Sequence, residues 1–188
     1  MGIADVNIAM ILMDTGRLDE ALKIYTKVLI SIIIKVIQYS NSLTVALVKT
    51  GQRKSFKEAC DVLDWGLTVL NATDAGKISY LTKMKVVLFT LKAMCSSCLD
   101  DDEGMRENMQ KAQELAIKYD KDSTNGVDGK IRFWHADDDY KPAFYDELGA
   151  SATESIDALF VRRAHDIPPE ADKKIKKAKK YWDEIKAQ

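Results

Sequence analysis

The residues best suited to chemistry gather in three places. HADDD (135–139) sets one imidazole beside three carboxylates, and His165-Asp166 repeats the pairing further on. Those are the residue types of a metal site or of general acid–base catalysis. The chain has only two histidines, and no spacing fixes a geometry among these groups. Acidic residues ahead of a helix starting near Asp139, where they favour the helix dipole, account for the run more simply. CSSC (Cys95, Cys98) has the spacing of a redox pair or of half a zinc site. A reactive pair wants its first sulfur at a helix N-terminus, where the dipole stabilises thiolate. Here the pair closes a helix and no second pair exists for zinc, so small buried residues at a helix crossing are expected. DKDSTNGVDGKI (120–131) alternates oxygen ligands like a calcium loop, which needs Gly at its sixth position and Glu at its twelfth. Counting from Asp120 gives Asn125 and Ile131; counting from Thr124 gives Gly129 and His135. Neither register supplies the bidentate Glu, so a solvated turn is expected. No phosphate loop, nucleophile elbow or dinucleotide fingerprint is present. The sequence therefore assigns no catalytic residue, no metal ligand and no cofactor.

Such groups need elements to hold them, and the composition says which. Apolar residues make up 46% and charged residues 30%, with 9 Gly and 3 Pro, a globular chain rich in helix formers. A formal net charge of −1 gives no case for nucleic acid or an anionic membrane as partner of the whole chain. Three cysteines, an odd number, and no signal-peptide pattern point to a reducing, cytoplasmic setting. The most apolar run, VLISIIIKVI (28–37), is interrupted by Lys35 and shorter than the roughly 20 residues of a membrane span. It is expected to be the central, twice-covered helix of a stack. MGIADV lacks the Ser or Thr of a myristoylation site at Val6. A helical pattern beginning by Ala4 with almost no lead-in reads as a chain cut from a longer one.

Helical periodicity recurs along the chain. Residues 4–14 carry Ile8, Ile11, Leu12 and Met13 and stop at Thr15-Gly16. A second helix from Arg17 sets Leu18, Ala21, Leu22, Tyr25, Val28 and Leu29 on one stripe. Further helices are expected over Asn41–Thr50, Ser55–Leu70, Lys77–Cys98 and Met105–Tyr119. The loops between them are Gly51, the segment 71–74 and the acidic turn DDDEG (100–104). KIRFW (130–134) alone reads as extended.

Set side by side, the helix pairs repeat small residues at matching places. NIAMILMDTGRLDEALKIYTKV has Ile8, Ala9, Leu12, Gly16, Ala21 and Tyr25; SLTVALVKTGQRKSFKEACDVLDWG has Leu43, Leu47, Gly51, Ala59, Leu63 and Gly66; ENMQKAQELAIKY has Ala112, Ala116 and Tyr119. This resembles the tetratricopeptide repeat (TPR) family, whose helix pairs place small residues where two helices touch. Gly or Ala at a crossing lets backbones approach to about 8 Å. The likeness covers roughly residues 3–120, with Ala21, Ala59 and Ala112 spaced more widely than the family's period of about 34. It implies an all-α, right-handed stack of about three antiparallel helix pairs over 1–120, followed by a loop and C-terminal capping helices over 121–188.

In that second region SATE (151–154) is a capping box opening a helix through Arg163, and IPPE (167–170) starts a last helix at Pro169. The aromatics of FW and YKPAFY (133–145) are expected to close the end of the stack. KKIKKAKKYW (173–182) keeps Ile175, Ala178, Trp182 and Ile185 on one stripe, so its lysines are expected to form a solvated outer face.

The resemblance implies a non-enzymatic α-solenoid that binds a protein or peptide in a groove lined by the first helix of each pair. By the family's pattern the groove positions are Val6, Asn7, Met10, Met13, Gln38, Asn41, Val45 and Val48. Apolar anchors there would give affinity, and Asn7 and Asn41 would hydrogen-bond a peptide backbone. Two alternatives stand beside it. The longer helices are similar to the effector-sensing TPR halves of some bacterial transcription regulators, here without a DNA-binding domain. A small metal-dependent helical enzyme would instead use His135 with the cluster Asp137–Asp139. Self-association is compatible with each.

Overall fold

The computed structural model describes residues 3–72, 79–124, 151–163 and 167–186, apart from some side chains inside the helices. Among these residues every regular element is an α-helix: α1 (Ile3–Asp14), α2 (Leu18–Lys49), α3 (Arg53–Ala72), α4 (Ser79–Cys98), α5 (Asp102–Thr124), α6 (Ala152–Arg163) and α7 (Pro169–Ile185). None of the described helices is long and apolar enough to cross a membrane. The chain divides into two compact units, Met1–Gln38 and Tyr39–Gln188. HADDD, KIRFW, the aromatic run 133–145 and His165-Asp166 lie outside the described residues.

The first unit holds α1, a turn and the start of α2. The turn follows from Gly16, whose φ of +75° is a left-handed conformation that costs glycine nothing. Its amide donates to the Met13 carbonyl at 3.1 Å and that of Arg17 to Leu12 at 2.8 Å, the paired bonds of a Schellman cap. Ala9, Leu12 and Ala21 are buried. The stripe expected on α2 splits: Ala21 is buried, Tyr25 and Val28 are half-buried, and Leu18 and Leu22 face outward.

The separate helix expected over Asn41–Thr50 is the end of α2, which runs unbroken to Lys49. No Gly or Pro falls between Arg17 and Gly51, and Ser40, Asn41 and Ser42 weaken a helix by only tenths of a kcal/mol each. Nor is the run 28–37 covered on every side. Ser31 and Ile33 are buried, whereas Ile32 is exposed.

In the second unit the central helix is α4, which packs against α3, α5, α6 and α7. Its sequence explains the position: Met84, Val86, Val87, Leu88, Leu91, Ala93, Met94, Cys95 and Cys98 are all buried, so apolar side chains point to every side. Full burial of Leu63, Leu70 and Leu88 contributes about 1.5–3 kcal/mol each. Small residues lie fully inside the second unit: Ala59, Ala112, Ala116 and Ala178 are 0% exposed.

The acidic turn is built residue by residue. Asp100 takes the left-handed position after α4 (φ 63°) and pairs with Lys174 at 2.8 Å. Asp101 caps α5, accepting from the Gly104 amide at 2.9 Å. Helix α5 therefore begins at Asp102, three residues before the expected Met105, with Asp102 and Glu103 at the positive end of its dipole. It also continues through Thr124, so the expected loop does not begin at Asp120. The capping box is present in both directions: the Glu154 amide donates to Ser151 Oγ (3.0 Å) and the Ser151 amide to Glu154 Oε2 (3.1 Å). Pro169 opens α7, whose Ala171, Ile175, Ala178, Trp182 and Ile185 form its buried stripe.

Candidate functional site

Helix α1 has apolar residues on all its faces. Ala9 and Leu12 occupy the buried face, with Asp5 and Val6 half-buried beside it. Val6, Met10 and Met13, at i, i+4 and i+7, form a stripe on one flank, and Ala4, Ile8 and Ile11 form another. Met10 is 49% exposed and Ile11 62%. The start of α2 adds exposed Leu18 and Leu22, and Ile32 follows two turns or more along. Seven of the twelve large hydrophobic residues exposed among the described residues thus fall in the first unit, which locates the candidate surface there.

The structure sorts the groove positions read from the sequence. Val6, Asn7, Met10 and Met13 share α1, with Asn7, Met10 and Met13 exposed. Gln38, Asn41, Val45 and Val48 lie on α2, where Val48 is buried. The side chains of Gln38, Asn41 and Val45 lie outside the described set. Sequence reading put Ile8, Ile11, Leu12 and Met13 together on one broad apolar face, whereas only Leu12 of the four is buried. Apolar residues recur around the whole of α1, so periodicity could not say which face turns inward.

Charge around α1 is one-sided. Its last turn carries Asp14 and no basic residue, although a cation is favoured at a helix C-terminus. The adjacent Arg17 is engaged elsewhere, holding Glu20 through two bonds of 2.7 and 2.6 Å. The hydrogen bond from Arg17 keeps the Glu20 carboxyl below its usual range.

The other constellations resolve into structure. Asp120, the first residue of the calcium-like loop, caps α6: it accepts from the Ala152 amide at 2.7 Å, the Thr153 amide at 3.1 Å and the Thr153 hydroxyl at 2.6 Å. The described residues hold no group of three or more metal-type ligands. Burial pushes the Cys98 thiol up to about 12, and its sulfur lies 3.9 Å from the Ala171 carbonyl on α7. Ser97 between the two cysteines donates to the Lys174 carbonyl at 2.6 Å, so Ser97 and Cys98 serve the α4–α7 crossing. Lysines of α7 reach acids on other elements, Lys174 to Asp100, Lys177 to Asp102 and Lys179 to Asp157. Lys83, 2% exposed on α4, is pushed down by burial while Asp120 and Glu154 oppose the shift.

The chain matches no known protein family, no curated protein and no solved structure.

Proposed function

We propose that this chain is a non-enzymatic, TPR-like binding module that captures a protein or peptide segment on the first unit. The observation that carries this reading is the concentration of exposed apolar side chains on α1 and the start of α2. Large exposed apolar patches mark interaction sites in soluble proteins. The two stripes of α1 repeat at i, i+4 and i+7, the spacing that receives the apolar face of an amphipathic helix. Asn7 supplies a polar group beside Met10, and Asp14 at the α1 C-terminus favours a partner carrying a basic end. The partner is thus an amphipathic segment with apolar anchors and a positive terminus. The TPR-like part of the reading rests on the buried small residues Ala9, Ala21, Ala59, Ala112 and Ala116.

A displayed library of amphipathic peptides, panned against the purified chain, tests the proposal. Selected peptides are expected to bind Met10→Glu at least roughly thirtyfold more weakly, the loss of a hot spot worth about 2 kcal/mol. Trp65, 54% exposed on α3, provides the control, and Trp65→Glu should bind as the parent does. Binding lost in Trp65→Glu and kept in Met10→Glu would move the site off the first unit.

A further inference from the structure

Helix α2 is 32 residues long and carries an apolar series that burial within its own fold does not explain. From Leu18 the series runs through Leu22, Tyr25, Leu29, Ile32 and Val36 in alternating steps of four and three, all within the first unit. The same steps continue along the helix to Tyr39 and Leu43. Leu18, Leu22, Ile32, Tyr39 and Leu43 are between 48% and 72% exposed, and Tyr25 and Val36 are half-buried. A helix settling on its own core repeats its apolar residues about every 3.6 positions, whereas a sustained repeat of 3.5 is the seam of a coiled coil. Here such a seam runs over residues 18–43, with five of its members in solvent.

We propose that this seam pairs with the same seam on a second copy of the chain. The spacing selects the occupant. An ordinary amphipathic helix drifts off a 3.5 repeat by about 20° per heptad, so it loses contact along its length. A second α2 supplies matching knobs and holes throughout, the self-complementary patch that two-fold pairing requires. Charge permits the match. No seam position is charged, and the positions beside the seam carry one acid and one base, Asp19 and Lys35. At 1.5 Å per residue the strip is about 38 Å long, and at a width of about 10 Å it offers roughly 400 Å² per copy. A pair therefore buries roughly 800 Å² before side-chain relief is counted, close to the about 1,000 Å² of a specific interface. Micromolar association is expected from so small an area. The inference goes beyond the peptide reading and stands without it, because it uses no residue of α1.

Sedimentation velocity on the full chain, without peptide and at up to about 100 μM, tests the pairing. The mass should rise with concentration from 21.1 kDa towards twice that value. Leu18 and Leu22 also border the peptide face, so the variants lie further along, at exposed positions where the fold tolerates a charge. Ile32→Glu and Tyr39→Glu should each weaken pairing at least roughly tenfold. Lys27→Glu, exposed on α2 but off the seam, and Met10→Glu on α1 should pair as the parent does. A second readout needs no variant: Tyr39, 72% exposed in the single chain, should lose reactivity towards hydroxyl radicals as the concentration rises. A parent that stays at 21.1 kDa throughout would overturn the proposal and leave peptide capture untouched. Pairing that survives both seam variants, or that is lost in Met10→Glu, would overturn it too.

Discussion

Asp157 on α6 accepts from the Trp182 indole at 2.9 Å and from the Lys186 ammonium at 3.0 and 3.2 Å. Burial pushes its carboxyl up, but the bonds from Lys186 and Trp182, with the charges of Lys186 and Lys179, outweigh it and hold the carboxyl low. Trp182 is 1% exposed, so Asp157→Ala leaves a buried indole N–H without an acceptor and should destabilise by about 1–3 kcal/mol. Asp157→Asn keeps an acceptor and should lose less. A carboxyl whose folded value lies below its unfolded value of about 3.9 contributes stability above that pH and loses it as pH falls through the folded value. The gap between parent and Asp157→Asn, measured by urea unfolding, should therefore be open at pH 7 and narrow below about pH 4. A gap that widens in acid would contradict the assignment. None of this could be read from the sequence, because Trp182 and Lys186 meet Asp157 only after α6 and α7 pack. The Ser151–Glu154 box was legible, since both partners lie within one turn.

At the scale of elements, volume at the crossings was the clearest signal. Ala59 faces the interior at 0% exposure, and Ala59→Leu should cost about 1–3 kcal/mol through overpacking. Ala46, exposed on α2, is the matched control: Ala46→Leu should fall within about 0.5 kcal/mol of the parent. Equal melting of the two variants would show that Ala59 is not a tight contact. Helix ends were legible where Gly or Pro stops or starts the chain, at Gly16, Gly51 and Pro169. They were not legible at Asn41, where polar residues read as a break although nothing prevents α2 from continuing. The start of α5 was missed for a related reason: three consecutive aspartates look like one turn, yet they divide into the end of α4, a cap and a first helical turn.

For the whole molecule, the two units carry their apolar residues differently. The second gathers them around α4, with Lys–Asp pairs at the rim. The first leaves Ile8, Met10, Ile11, Met13, Leu18, Leu22 and Ile32 in the open. Of these seven, sequence reading had named Met10 and Met13 as groove positions; it did not separate the outer stripe, because a helix apolar all round has no period to read. The central claim is that this exposed face receives the partner. Hydrogen exchange measured on the chain alone and with a selected amphipathic peptide bound tests it most directly. The account predicts new protection in Ile3–Asp14 and in the first turns of α2, with α3 through α7 unchanged. Protection confined to α3–α7, with α1 exchanging as in the free chain, would contradict it.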